Sequence, residues 1–188
     1  MINVSIVIPV FNEEKNISSL IYEILENIQI KYIKNYEIII IDDCSFDNTF
    51  KILQPFIDKK IIKYFKNKHN FGQSFSLDKG INLSIYNNII TLDGDGQNNP
   101  KDIKKLLELY DNGNKYSLVG GIRKKRRDSL SKIYASKIAN KVRSYILSDN
   151  CPDTGCSLKI FRKDIFIKFP YFDGIHRFLP ALFSGFKC

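Results

Sequence analysis

Histidine, cysteine and tryptophan are scarce in this chain. Among its 188 residues there is no tryptophan, there are two histidines, and the four cysteines form no Cys-x-x-Cys pair. The cysteines are Cys44, Cys151, Cys156 and Cys188. A zinc site usually needs clustered cysteine and histidine ligands, so this spacing argues against one and favours reduced cytosolic thiols.

Long apolar runs and a basic N-terminal leader are also absent. No apolar segment approaches the roughly 20 residues that a membrane-spanning helix requires. The N-terminal segment "MINVSIVIPV" is apolar but short, and it contains no basic leader. We therefore expect neither a transmembrane helix nor a signal peptide.

The overall composition is that of a globular protein with a positive charge. Apolar residues make up 44% of the chain and charged residues 26%, and the formal net charge is +9. This length suffices for one domain with a substantial core. The charge favours an anionic partner, which could be a nucleic acid, a nucleotide or an acidic membrane surface.

Apolar runs and amphipathic segments alternate through the first 110 residues. The expected strands are residues 4–10, 37–43, 60–65 and 89–92. Helical spacing of apolar side chains indicates helices within residues 17–28, 52–57, 77–85 and 103–110, and Asp47 and Asn99 are candidate caps. Unbroken apolar strands alternating with helices predict an α/β fold with a mainly parallel sheet.

The second half is less regular and strongly basic. Residues 116–122 are expected to form a strand, and the basic run "RKKRR" follows at residues 123–127. Residues 129–148 are expected to form an amphipathic helix with one basic face. That helix could lie on an anionic membrane surface, or it could be an ordinary domain helix with a solvated face.

Three polar clusters follow apolar strands: "PVFNEE", "DDCS" and "DGDGQ". Ligands of parallel α/β sheets bind beyond the carboxyl ends of the strands, where all three clusters are expected to meet. In extended backbone Asp93 and Asp95 would point the same way with Cα atoms about 6.6 Å apart, and Gly94 would let a ligand approach. Two such oxygen donors suit Mg²⁺ or Mn²⁺. The alternative is a plain Asp-Gly turn.

Several segments, in order, carry a family resemblance: "VSIVIPVFNEEKNI", "EIIIIDDCSFDNT", "NFGQSFSLDKG", "ITLDGDGQNNP", "VGGIRKKRRDS", "DTGCSLKIFRKD" and "HRFLPALFSGF". Together they resemble family 2 glycosyltransferases, and more narrowly the branch that transfers sugars to polyprenyl phosphates. The resemblance implies a GT-A (Rossmann-like) fold, with a mainly parallel sheet flanked by helices on both faces. It implies a single domain over residues 1–188, with a nucleotide-sugar half at 1–115 and an acceptor-side half at 116–188.

The resemblance also implies an activity. A sugar would pass from a UDP- or GDP-linked donor to a polyprenyl phosphate, with inversion and with metal assistance, in cell envelope glycan synthesis. The protein would then be cytoplasmic and peripheral at the inner face of the cell membrane. Relatives usually continue into another strand and a further basic motif, so we expect a C-terminal truncation.

Two other activities stay open at this point. One is a family 2 transferase that acts on a soluble sugar or glycan. The other is a truncated nucleotide-binding module without catalysis. A nucleic-acid partner is not expected, because the acidic sheet edge would repel its phosphates unless a metal were bound.

The resemblance assigns roles on the phosphate side of the donor. Asp95, assisted by Asp93 and Gln97, would hold Mg²⁺ or Mn²⁺ against the diphosphate. Arg123 matches an arginine that contacts phosphate in relatives, and its planar fork can grip two oxygens. The alternative for the basic run that Arg123 begins is a solvated loop.

On the nucleoside side, Pro9, Phe11 and Glu13 would line the base and ribose pocket, and Asp43 would contact the nucleoside. Core packing is the alternative for Phe11. Asp42 could orient the loop or accept a hydrogen bond from a backbone amide.

On the acceptor side, the resemblance makes Asp153 a catalytic base or a group that positions the acceptor. The alternative is a local Asp-Thr-Gly turn. Arg177 would meet the acceptor phosphate, and His176 is expected to be a local packing or hydrogen-bonding residue rather than a metal ligand.

Overall fold

The computed structural model describes residues 1–28, 31–110, 117–122 and 153–185. The strands are β1 (Ile2–Val10), β2 (Ile33–Asp42), β3 (Lys63–Lys66), β4 (Asn88–Thr91), β5 (Leu118–Gly120) and β6 (Lys159–Arg162). The helices are α1 (Ile17–Asn27), α2 (Thr49–Asp58), α3 (Gln73–Leu83), α4 (Ile103–Tyr110), α5 (Lys163–Phe166) and α6 (Ile175–Gly185), with a short 3-10 turn at Pro100–Asp102.

The six strands form one sheet in the order β3-β2-β1-β4-β6-β5. β1 lies inside it and pairs in parallel with β2 on one side and β4 on the other, so that Val4 lies opposite both Tyr36 and Asn88. β6 alone among these strands runs in the opposite direction, since it pairs antiparallel with both β4 and β5. The predicted α/β fold with a mainly parallel sheet is confirmed.

Two hydrophobic clusters cover the two faces of the sheet. Ile6 and Ile8 of β1 pack in the cluster with α1, α2 and α4, whereas Val7 packs in the cluster with α3, α5 and α6. This division follows from the period of two along a strand. Helices therefore flank the sheet on both faces, as predicted.

Asn99 is a helix cap as expected, whereas Asp47 lies one residue before Asn48, the N-cap residue of α2, and still accepts a hydrogen bond from the first helical amide. The Asp47 carboxylate accepts a hydrogen bond from the Thr49 backbone amide at the start of α2, at 2.9 Å. The Asn99 side chain accepts one from the Lys101 amide at 3.0 Å, and Pro100 begins the 3-10 turn before α4. Each of these hydrogen bonds satisfies an amide that has no partner within its helix.

Several expected boundaries were wrong. The third strand begins at Lys63 rather than Lys60, because Lys60 has a φ of +55° and belongs to the turn after α2. α3 ends at Leu83, so Ile85 lies outside the helix with its side chain 64% exposed. Apolar spacing alone could not place these ends, since a turn interrupts each pattern.

Arg123, the basic run at 123–127 and the helix expected over 129–148 lie outside the described residues, as does the expected start of β5 at residue 116. Within the described part of the chain, no helix combines the length and the apolar character needed to cross a bilayer.

Candidate active site

A cleft opens beyond the carboxyl ends of β1, β2 and β4. Its volume is about 210 Å³, and its mouth is open to solvent. The residues that line it are Pro9, Val10, Phe11, Glu13, Asp43, Gln73, Asp93, Gly94 and Asp95. The structure thus brings six of the predicted site residues together around one space, four of them carboxylates.

The segment after β4 is a turn rather than extended backbone. β4 ends at Thr91, and Gly94 and Asp95 form the turn. The Asp95 carboxylate accepts a hydrogen bond from the Gln97 backbone amide at 2.9 Å, and Gly96 has a φ of +71°. The two aspartates are therefore not joined by extended backbone as expected, because the Asp-Gly repeat bends the chain as soon as the strand pairing stops, although both still line the cleft.

Gln97 is exposed and does not line the cleft, although its backbone fixes Asp95. Gly94 lines the cleft and also allows close packing within the protein. A Cβ atom there would lie 2.8 Å from Cγ1 of Val10 and 3.3 Å from Cγ of Glu13. The missing side chain thus allows the turn to approach the end of β1 closely.

Glu13 lies beside this turn. Partial burial raises its pKa above the usual value, and the negative charges of Asp95 and Asp47 raise it further, against a hydrogen bond from Asn16 that lowers it. Negative charge gathered around a partly buried carboxylate favours a cation beside it.

Two side chains that the sequence analysis did not single out anchor the turn. Gln73, at the start of α3, donates a hydrogen bond to Oδ1 of Asp93 at 2.6 Å. Ser157 Oγ accepts hydrogen bonds from the Asp93 amide at 3.1 Å and from the Asn98 side chain at 2.5 Å. Neither role has a local sequence signal, because the partners are 20 and 64 residues apart from Asp93.

Asp43 is buried and already engaged within the protein. Its carboxylate accepts hydrogen bonds from the Asn67 side chain at 2.8 Å, the Phe71 amide at 3.0 Å and the Gly72 amide at 2.7 Å. It therefore holds the segment before α3 against β2 while it lines the cleft. Its contact with a nucleoside stays a prediction.

The neighbouring Asp42 has the loop-orienting role considered from the sequence. It is fully buried and accepts hydrogen bonds from the Ser45 amide at 2.7 Å and the Tyr64 hydroxyl at 2.5 Å. Burial and the adjacent carboxylate raise the pKa of Tyr64 well above its usual value. The hydroxyl consequently remains a donor that fixes the base of the loop.

Phe11 is not a core residue. Its side chain is 40% exposed and meets the edge of Phe46, with ring centroids 5.8 Å apart. Phe46 is itself 83% exposed, and its amide donates to the Asn12 side chain at 3.0 Å. Phe11 thus lines the cleft with a partly exposed flat ring, which can contact a flat ligand, and Phe46 packs against it.

The two described acceptor-side candidates do not line the cleft. Asp153 is buried and Arg177 is exposed on α6. His176 makes a 2.7 Å hydrogen bond between its Nδ1 and Oγ of Ser74, as expected for a local hydrogen-bonding residue.

The donor set of the cleft restricts which metal it could hold. Among the described residues, no group of three histidine, cysteine, aspartate or glutamate side chains is arranged to hold a metal. Asp93 and Asp95 supply hard oxygen donors at the cleft. They fit Mg²⁺ or a similar ion, which commonly takes one or two protein carboxylates and completes its shell with water and substrate phosphates.

Curated relatives resemble the chain over most of its length. A dodecaprenyl-phosphate galacturonate synthase of Rhizobium johnstonii is 32% identical over 98% of this chain and 55% of its own length. An undecaprenyl-phosphate 4-deoxy-4-formamido-L-arabinose transferase of Pectobacterium atrosepticum is 37% identical over 87% of this chain and 50% of its own. The chain therefore spans about half the length of these relatives.

Solved structures share the fold. The glucosyl-3-phosphoglycerate synthase of Mycobacterium tuberculosis in complex with UDP superposes with a TM-score of 0.67, covering 90% of this chain and 60% of that one at 16% identity. TarS residues 1–349 of Staphylococcus aureus with UDP gives 0.60 at 18% identity, covering 96% of this chain and 55% of that one. The expected GT-A fold is thereby confirmed. Since the Glycosyl transferase family 2 domain matches residues 5–169, the chain belongs to this family.

Proposed function

We propose that the protein transfers a sugar from a nucleotide-sugar to a polyprenyl phosphate, with inversion at the anomeric carbon. The proposal draws its acceptor from the curated relatives, both of which are named for sugar transfer involving a polyprenyl phosphate. Solved structures with the same fold contain UDP, which supports a nucleoside diphosphate donor.

The observation that carries the proposal is the composition of the cleft. It combines an aromatic residue at its mouth, Phe11, with the aspartates Asp93 and Asp95. A nucleotide-sugar needs the same two features, since its base is flat and its diphosphate is anionic. In the proposed arrangement the base and ribose lie near Pro9, Phe11 and Glu13, and the nucleoside contacts Asp43.

The carboxylates require a divalent cation before they can face a diphosphate. Asp95, with Asp93 and the nearby Gln97, would hold Mg²⁺ or Mn²⁺, and the bound ion would supply positive charge for the departing diphosphate. The structure of the mycobacterial synthase that contains Mn²⁺ and UDP supports this assignment for the fold. The hydrogen bond from the Gln97 amide would orient the Asp95 carboxylate both with and without a bound metal ion.

The chemical step needs little proton transfer. An oxygen of the acceptor phosphate forms a bond to the anomeric carbon while the bond between that carbon and the nucleoside diphosphate breaks. Because a phosphate is already largely ionised near neutral pH, Asp153 would serve mainly to position the acceptor. Arg177 would bind the acceptor phosphate, and Arg123 would bind phosphate on the donor side.

This reaction also specifies a location. A polyprenyl phosphate lies in a bilayer, so the protein would act at the inner, cytoplasmic face of the cell membrane as a peripheral protein. The net charge of +9 would favour association with anionic lipids there.

The test measures release of nucleoside diphosphate from UDP- and GDP-linked sugars, with and without a polyprenyl phosphate in detergent, in Mg²⁺, Mn²⁺ or EDTA. We expect release that needs both the acceptor and the metal. Asp95→Asn should reduce kcat by at least about a hundredfold, because a neutral amide binds a divalent ion weakly. Asp102→Asn is the matched control, since this aspartate pairs with Lys105 outside the cleft.

Each contrary outcome identifies a different error. Full activity in EDTA, or after Asp95→Asn, would remove the metal from the reaction. Release that requires a soluble sugar or glycan instead of the lipid phosphate would replace the acceptor class. Tight binding of the nucleotide-sugar without any release of nucleoside diphosphate would indicate a nucleotide-binding module without catalysis.

A further inference from the structure

Four consecutive residues connect the cleft to α6. The amides of Phe71 and Gly72 donate hydrogen bonds to the buried Asp43. Gln73 donates to Asp93. The next side chain, Ser74, points to the other side and contacts the segment that leads into α6. Residues 71–74, which we name the connecting segment, therefore fix the carboxylates of the cleft and the start of α6 relative to each other.

Ser74 is buried and forms two hydrogen bonds with residues at the start of α6. Its Oγ accepts one from the Gly174 amide at 2.8 Å and lies 2.7 Å from Nδ1 of His176. Gly174 has a φ of +88°, a left-handed conformation that suits glycine, and precedes α6 directly. The hydroxyl thus holds both the turn before the helix and an imidazole of its first turn.

The tautomer of His176 follows from its second contact. Nε of Arg177 donates to Nε2 of His176 at 3.3 Å. Since a guanidinium nitrogen cannot accept a hydrogen bond, Nε2 must be unprotonated. The proton of the neutral ring is then on Nδ1, which donates it to Ser74. Both ring nitrogens of His176 therefore form hydrogen bonds: Nδ1 donates to Ser74, and Nε2 accepts from Arg177.

The surroundings keep this ring neutral. Burial lowers the pKa of His176 to about 4, and the positive charges of Arg177 and Lys159 act in the same direction, against the opposing charge of Asp173. A neutral ring can accept the hydrogen bond from Arg177, whereas a protonated ring would repel the guanidinium.

We propose that Ser74 and His176 are positioning residues that orient Arg177 to bind the phosphate of the acceptor. With Nε held by His176, the two terminal nitrogens of Arg177 remain directed as a planar fork, which suits two phosphate oxygens. Through Ser74 and His176, the connecting segment fixes the position of this fork relative to the cleft. The inference rests on the proposed function for the identity of the anion, but not for the orientation of Arg177.

Two substitutions of His176 separate positioning from packing. In His176→Gln, the side-chain oxygen is as many bonds from Cβ as Nε2 is and can still accept from Arg177. In His176→Asn, the amide nitrogen matches Nδ1 and can still donate to Ser74, but Arg177 loses its acceptor. Both variants are uncharged and remove the aromatic ring, so each controls for the packing loss of the other.

The kinetic test measures the KM for a short-chain prenyl phosphate and for the nucleotide-sugar at pH 7.5. We expect His176→Asn to raise the KM for the prenyl phosphate about tenfold, the equivalent of one lost hydrogen bond to a charged group. His176→Gln should change it less than about threefold, and neither variant should change the donor KM. Equal effects of the two variants, or an effect confined to the donor KM, would overturn the proposal.

Nitrogen NMR tests the orientation without any turnover. The chain has only two histidines, so a ¹⁵N-histidine spectrum assigned with His69→Gln isolates the two ring nitrogens of His176. We expect the Nδ1–H tautomer at pH 7, and a shift of Nε2 in Arg177→Lys, which lacks the donating Nε. An Nε2–H or cationic ring at pH 7 would overturn the positioning role. If the wild type shows the Nδ1–H tautomer but no transfer of sugar to the prenyl phosphate, the proposed function is rejected and the orientation of Arg177 stands.

Discussion

Replacing Asp43 with asparagine should measure how strongly a cleft carboxylate also holds the fold. The carboxylate accepts three hydrogen bonds, two through Oδ1, from the Asn67 side chain and the Phe71 amide, and one through Oδ2, from the Gly72 amide. In Asp43→Asn one oxygen becomes an NH₂ group. The best orientation keeps the two contacts at Oδ1 and turns the NH₂ group towards the Gly72 amide, where two donors face each other.

The expected cost follows from these contacts. One charge-assisted hydrogen bond, worth about 1.5–3 kcal/mol, is lost, and the Gly72 amide is left without an acceptor in a partly buried position. The two remaining bonds persist but lose the benefit of the charge. We therefore expect the free energy of unfolding to fall by about 2–4 kcal/mol, a large share of the 5–15 kcal/mol typical of a domain.

Urea unfolding of the ligand-free protein, followed by far-UV circular dichroism, measures the change in the free energy of unfolding. In thermal unfolding, Tm should fall by about 4–16 °C. Asp58→Asn is the matched control, because this exposed aspartate accepts a single hydrogen bond from Gln54. It should change the free energy of unfolding by less than about 0.5 kcal/mol. An equally small change in Asp43→Asn would show that the carboxylate does not hold the connecting segment.

Two further predictions concern Gly94 and Glu37. Gly94→Ala should lower the free energy of unfolding by about 1–3 kcal/mol and weaken nucleotide binding, because the added Cβ would lie 2.8 Å from Val10 Cγ1. Gly185→Ala, whose Cβ would meet nothing within 4 Å, is its control in thermal unfolding. Glu37 is buried, which raises its pKa, but hydrogen bonds led by that from Lys63 lower it below the usual 4.5 overall. A carboxylate whose pKa is lower in the folded state stabilises the fold above about pH 4.5, and this contribution is lost in more acidic solution. Urea titrations from pH 3 to 7 should therefore show that the stability advantage of the wild type over Glu37→Gln shrinks as the pH falls. A constant difference across this range would contradict that role.

The fold could be predicted where the sequence carries a period. The apolar run of β1 and the helical spacing in α1 gave the parallel core, because burial imposes these patterns directly. The reversed direction of β6 carries no such pattern. Its four residues pair between β4 and β5, and their direction depends on how the preceding chain returns to the sheet.

The site could be predicted where a residue follows a strand. Asp43, Asp93 and Asp95 were found in this way, since the carboxyl ends of parallel strands meet at one edge. Gln73 and Ser74 could not be found, because a glutamine and a serine at the start of a helix are ordinary there. Their roles depend on partners 20 and 102 residues away, which the chain approaches only when it is folded.

The position of β1 between β2 and β4 has a consequence for the order in which the cleft assembles. Val4 pairs with Tyr36, which lies 32 residues later, and with Asn88, which lies 84 residues later. The first pairing closes a shorter loop and loses less chain entropy than the second. We therefore expect the side of the cleft formed by β1 and β2 to assemble before the aspartate turn after β4 joins it. A ligand that contacts both sides of the cleft would bind only the chain in which the longer loop has closed, so its binding would report that the last part of the sheet has formed.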